Sequence, residues 1–165
     1  MSPEGIVLAV LALLGLAILA AALGRGRWYN QYQRLGPLFT PAELRFLAVL
    51  ERVVDGRARI YGKVRLADLV KVRDGVSGRR FWKAFGFVAC KHVDYVLCDP
   101  RGHEVLCVIE LDDKSHRRRD RRERDQALER IMTAAGIPLL RFPVRGRYRA
   151  DDIRGRLAAV LPLSG

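Results

Sequence analysis

KHVDYVLCDPRGHEVLCVIELD, residues 91–112, holds two strand-like runs, KHVDYVLC (91–98) and EVLCVIELD (104–112), on either side of Asp99-Pro100-Arg101-Gly102-His103. β-branched and aromatic residues bounded by turn formers predict an antiparallel hairpin. Pro100 suits the second position of a type I turn and Gly102 the left-handed position after it, which gives a three-residue loop with a bulge. In that register Asp99 faces His103 and Asp94 faces Val108. Asp94 and Glu110 then become diagonal neighbours on one face, with Cβ atoms about 7–8 Å apart, and Asp112 continues that face by alternation. A loop one residue shorter would send Asp94 and Glu110 to opposite faces. VLCVI does not alternate, so the second strand is expected at the centre of a sheet covered on both sides.

The rest of the chain supplies the covering elements. Thr40-Pro41-Ala42-Glu43 has the pattern of a capping box with proline in the first turn, and Phe46, Leu47, Leu50, Val53 and Val54 recur at helical spacing before Asp55-Gly56. ARIYGKVRL (58–66) suits a strand, with Tyr61-Gly62 a point of irregularity. Asp120-Arg121-Arg122-Glu123 repeats the capping pattern ahead of Leu128, Ile131, Met132 and Ala135, and Gly136 closes that helix. GIPLLRF (136–142) predicts a short strand and Asp151–Leu161 a terminal helix. The order implies an α/β fold, a mixed central sheet flanked by helices. RRFWKAFGF (79–87) interleaves basic and aromatic residues. Such a segment either stacks nucleic acid or, in the commoner arrangement, buries its aromatics beneath a basic rim.

Ahead of this domain, residues 5–23 are apolar without interruption, long enough at helical rise to match a hydrocarbon core of about 30 Å. Ala20 and Ala22 offer a cleavage-like pattern, but MSPE carries no positive charge, which favours an uncleaved anchor over a signal peptide. Arg25, Arg27 and Arg34 follow the span and only Glu4 precedes it. The expectation is a single-pass protein of the cell inner membrane with its C-terminal domain in the cytoplasm. The organisation is then an anchor (1–24), a juxtamembrane linker (25–37) bearing Trp28, Tyr29 and Tyr32, and a domain over 38–165. Thirty Lys and Arg against eighteen Asp and Glu give a formal charge of +12, which suits nucleic acid or an anionic membrane face. Cys90, Cys98 and Cys107 are odd in number and lack metal-ligand spacing, which argues against a disulfide framework or a zinc site.

VIELDDKSH (108–116) drives charge into the end of the buried strand. Ionised carboxyls there cost several kcal/mol each unless paired or coordinated. A hard divalent cation such as Mg²⁺ would relieve the cost, and so would salt bridges to Arg124, Arg121 or Lys91.

KHVDYVLCDP, VIELDDKSH, ERD and AAGIPLLRF, with TPAE upstream, resemble a bacterial family, the domain of unknown function 2726. That family is similar to the PD-(D/E)XK restriction-endonuclease-like superfamily, especially its very-short-patch-repair-like branch. The similarity covers roughly residues 38–143. It implies a restriction-endonuclease-like core in which Asp94 falls on the strand-two aspartate, Glu110 on the strand-three acid, Glu43 on the first-helix acid and His116 on the downstream histidine. The chain departs from the pattern at the lysine of the E-x-K element, where Asp112 stands and Lys114 comes two residues later. The repair-like branch also lacks that lysine.

What the resemblance implies chemically is metal-assisted phosphodiester hydrolysis, with Asp94, Glu110 and Asp112 as Mg²⁺ ligands and Lys114 or His116 as base or electrostatic support. Arg117, Arg118, Arg121 and Arg124, in RRRDRRER (117–124), would meet nucleic-acid phosphates, or else form a solvated helix face. Two functional classes stay open: a membrane-anchored, metal-dependent nuclease, and a catalytically silent member of the fold that binds nucleic acid or a protein partner. A membrane-surface module serving anionic lipid is a third.

Overall fold

The computed structural model describes residues 2–29, 31–112 and 119–161; of 23–29 and 119–124 it describes the helical backbone alone. The chain divides into two compact units, Met1–Pro37 and Leu38–Gly165. The first carries α1 (Pro3–Tyr29), whose segment Pro3–Ala22 is long and apolar enough to cross a membrane.

The second unit is a four-stranded mixed sheet with helices on both faces. Its elements run α2 (Pro41–Val54), β1 (Arg59–Arg65), a short 3-10 turn, α3 (Gly78–Val88), β2 (His92–Cys98), β3 (Val105–Asp112), α4 (Arg119–Ala135), β4 (Leu139–Pro143) and α5 (Ala150–Leu157). Spatial order is β1-β2-β3-β4. The first two pairings are antiparallel and β3–β4 is parallel, with α4 as the crossover. Phe46, Leu50 and Val53 of α2 and Ile153 and Leu157 of α5 pack with Tyr95, Leu97, Cys107, Ile109 and Phe142. On the other side Leu66, Val88 and Met132 pack with Val93, Val96, Cys98 and Val108. The unbroken apolar run of β3 thus has the central place and two-sided cover that its composition demands.

Local signals set several boundaries as expected. The Thr40 hydroxyl accepts from the Glu43 N–H while the Glu43 carboxylate accepts from the Thr40 N–H, a complete capping box. Asp55 (φ 47°) and Gly56 (φ 74°) end α2 in the left-handed region, and Gly136 (φ 70°) ends α4. Other boundaries differ. α4 already runs from Arg119, so Asp120 lies inside it rather than capping it. β4 begins at Leu139, and α5 ends at Leu157, with Leu161 buried beyond the helix.

The hairpin loop also departs from the sequence expectation. His103, not Gly102, takes the left-handed conformation (φ 57°), and the Asp99 carboxylate accepts from the N–H groups of Arg101 and Gly102. A bulge follows between Leu97 and Cys98, after which Leu97 pairs with Cys107, Val96 with Val108 and Tyr95 with Ile109. The register is therefore shifted by two residues from the expected one. A shift of two preserves the facing of every side chain, whereas a shift of one would reverse it.

The aromatics of residues 79–87 do not form core. Val88 is the fully buried residue of α3, while Trp82, Phe85 and Phe87 are exposed.

At Gly62 the sheet meets Phe39, which stacks on Tyr95 at 5.6 Å between ring centroids. A Cβ built on Gly62 would lie 2.2 Å from the Phe39 ring. Gly62→Ala should therefore destabilise the domain by about 1–3 kcal/mol through displacement of that ring. In a Phe39→Ala background the penalty should largely vanish, which a double-mutant cycle from denaturant unfolding would detect.

Candidate functional site

The register carries one row of ionisable residues across all four strands. Gly62 pairs with Tyr95 and Val64 with Val93, which sets Lys63 against Asp94. Tyr95 pairs with Ile109, and the next step sets Asp94 against Glu110. Glu110 in turn pairs with Arg141 on β4. The row reads cation, carboxyl, carboxyl, cation. Extended one step past its last pair, the register puts Asp94 across from Glu110, where the sequence reading made them diagonal neighbours.

Asp94 stands where the β2–β3 ladder ends, and its carboxylate takes over the ladder's role. Its Oδ2 accepts from the Leu111 N–H at 2.8 Å, and its Oδ1 lies 3.2 Å from Lys63 Nζ. Lys63 has φ 55°, a left-handed conformation within a strand, beside the irregularity foreseen at Tyr61-Gly62. Its ammonium also reaches Glu43 Oε1 at 2.5 Å. Glu43 therefore caps α2 with one oxygen and pairs with Lys63 through the other, while its backbone carbonyl accepts from the Tyr95 hydroxyl at 2.8 Å. These bonds tie the first turn of α2 to the acidic end of β2. Side-chain exposures of 12%, 19% and 28% for Glu43, Asp94 and Lys63 place the triad at a half-buried rim, where ion pairing outweighs its screened value at an open surface.

On the other flank Arg141 donates to Asp112 Oδ1 at 2.7 Å, lies 3.7 Å from Asp125 Oδ1 and donates to the Asp125 carbonyl. Asp112, expected as a third metal ligand, is thus engaged by an arginine of β4. Among the described residues no three His, Cys, Asp or Glu side chains form a metal-holding group. Cation binding here would use the Asp94–Glu110 pair, completed by water or substrate oxygen, a coordination that Mg²⁺ accepts. Lys114, His116, Arg117 and Arg118 lie outside the described residues. Arg121 and Arg124 fall on the first turns of α4, and their side chains are likewise outside them.

Protonation follows from this layout. Burial alone would raise the Glu43 carboxyl, yet the Lys63 ammonium and the Thr40 N–H outweigh it and hold the group below its usual value. Burial would likewise lower Lys63, but Glu43 and Asp94 raise it. Glu110 goes the other way. Burial first, then the neighbouring Asp94 charge, push its carboxyl up to about 7, against the opposing pull of Arg141. Five carboxyls (Glu43, Asp94, Glu110, Asp112 and Asp125) gather around two cations in a chain of formal charge +12. An additional cation beside this pair would favour the ionised form of Glu110.

Lys63 and Arg141 were not singled out in the sequence. Lys63 lies in a strand-like run whose one hint is Tyr61-Gly62, and Arg141 sits among the apolar residues of LLRF. Only strand pairing brings them to the acids.

Residues 35–160 match the family described as "Protein of unknown function (DUF2726)", and the chain belongs to that family. No curated protein and no solved structure matches it.

The raised Glu110 carboxyl gives a pH signature. It titrates at about 7 when folded against 4.5 when unfolded, so folding takes up a proton between those values. The stability it contributes is complete below pH 4.5 and is lost as pH rises toward 7, by roughly 3 kcal/mol. Glu110→Gln, which cannot ionise, should raise the melting temperature over the parent at pH 8 and lose most of that advantage at pH 5. Calorimetry at the two pH values checks both.

Proposed function

We propose that the domain is a nuclease-like phosphodiesterase, anchored through α1 with its catalytic domain in the cytoplasm, and that Asp94 and Glu110 hold Mg²⁺. The observation that carries this reading is the convergence of the two carboxyls at the end of the β2–β3 ladder, with Glu110 raised by burial and then by Asp94. The donors fit a hard cation: both are carboxyl oxygens, at a rim open to water and phosphate. The resemblance to the restriction-endonuclease-like superfamily supports the same assignment.

Mg²⁺, when bound, supplies Lewis-acid activation of water and neutralises charge on the scissile phosphate. The chain's own groups do the rest. The Leu111 N–H and Lys63 fix the Asp94 carboxylate, and Glu43 holds Lys63 in place. Lys63 sets a positive charge beside the acids, as the missing lysine of E-x-K would, but from β1 instead of β3. His116 or Lys114 would accept the proton of the attacking water. Arginines 117, 118, 121 and 124 would steer phosphates toward the site.

The second reading is a catalytically silent member of the fold that binds nucleic acid or a protein partner. It draws on one observation: Lys63 already neutralises Asp94, and Arg141 already engages Asp112.

The full chain in detergent, given labelled single- and double-stranded DNA and RNA, should cleave with Mg²⁺ and stop with chelator. Asp94→Ala and Glu110→Ala should each abolish cleavage, and Lys63→Ala should reduce it on the order of a hundredfold. Equal rates in parent and Asp94→Ala would refute the assignment. Absence of both cleavage and calorimetric Mg²⁺ binding would favour the silent fold.

A further inference from the structure

Among its described residues α3 buries a single side chain, Val88, and carries aromatic rings and cations side by side. Phe81, Trp82 and Phe85 form a contiguous ring cluster, with Phe81 and Phe85 stacked at 5.9 Å and Trp82 edge-on to both. Trp82 is 68% exposed. Arg79, Arg80 and Lys83 are exposed on the remaining arc, and Lys91 lies 5.3 Å over the Phe87 ring. Packing accounts for only a narrow strip of the helix, Ala84 and Val88, which contact the domain one turn apart. A helix that leaves indole and phenyl rings in water loses free energy that some apolar phase would recover.

We infer that α3 docks in the plane of an anionic lipid surface, with Trp82 and Phe85 at the acyl boundary and Arg79, Arg80 and Lys83 at the headgroups. Three observations select lipid over other occupants. Apolar rings beside a basic arc on a short helix of low overall hydrophobicity are the composition of an interfacial helix. The exposed charges of α3 are all positive, complementary to anionic headgroups. The same chain carries an apolar helix fit to cross a bilayer, so a membrane is within reach of the domain. Tryptophan prefers the headgroup level, where its ring is dry and its N–H wet. Docking would hold the domain at the surface through contacts separate from the acidic row.

The test uses the full chain with Trp28→Phe, which leaves Trp82 as its one tryptophan, reconstituted in vesicles of phosphatidylcholine alone or mixed with phosphatidylserine. Flotation with both vesicle types establishes anchoring through α1 independently. Trp82 emission should shift to the blue and be quenched by brominated acyl chains in the anionic vesicles, with little change in the neutral ones. Arg79→Glu, Arg80→Glu and Lys83→Glu together should lower the docking equilibrium on the order of a hundredfold or more and abolish quenching, with far-ultraviolet circular dichroism unchanged. Equal emission in the two vesicle types overturns the inference without need of any α3 variant. Quenching by a single-stranded oligonucleotide but not by brominated lipid also overturns it, and would assign the rings to base stacking.

Discussion

Two carboxyls placed side by side at the half-dry end of a sheet repel each other and lose hydration together, and the domain is organised around how that penalty is reduced. Asp94 is stabilised by a backbone N–H and by Lys63, which Glu43 shares. Glu110 accepts from the Asp94 N–H and faces Arg141, yet burial and the neighbouring Asp94 charge outweigh both and push its carboxyl up to about 7. Two adjacent acids with unlike environments are what a site needs if a cation or a proton is to move in and out. Two fully ion-paired acids would be structure alone.

The same interactions explain how distant segments are held. Glu43 belongs to the first turn of α2, where its carboxylate closes a capping box, so the helix start is set by contacts within a few residues of sequence. That carboxylate then receives Lys63, and the adjoining carbonyl receives the Tyr95 hydroxyl. On the far side, Arg141 ties β4 to the end of β3 and to α4 through Asp112 and Asp125. The acidic end of the sheet is thereby clamped from both edges, and small shifts of α2 or α4 would be felt at Asp94 and Glu110.

The two surfaces of functional interest differ in kind. The acidic row is a half-buried, preorganised cluster whose geometry comes from backbone pairing. α3 is an exposed helix whose rings pack on one another and leave Trp82, Phe85 and Phe87 exposed. The first suits a small hard ion and phosphate oxygens, the second a broad, soft, negatively charged boundary. Their chemistry does not overlap, so one can act without the other.

Short-range pattern determined much of the chain by itself. The capping box at Thr40, the left-handed stops at Asp55-Gly56 and Gly136, the two-sided cover of VLCVI and the apolar N-terminal helix follow from periodicity and turn chemistry, which act over a few residues. The shared facing of Asp94 and Glu110 survived a misjudged loop because the register moved by two residues; a move of one would have reversed it. Tertiary structure decided the rest. The loop used His103 and a bulge at Leu97/Cys98 to move the register by two, β1 and β4 brought Lys63 and Arg141 to the acids, and packing left the rings of α3 outside. Each of these depends on which of several chemically acceptable neighbours a strand or helix meets, a choice made by the summed packing of segments far apart in the chain.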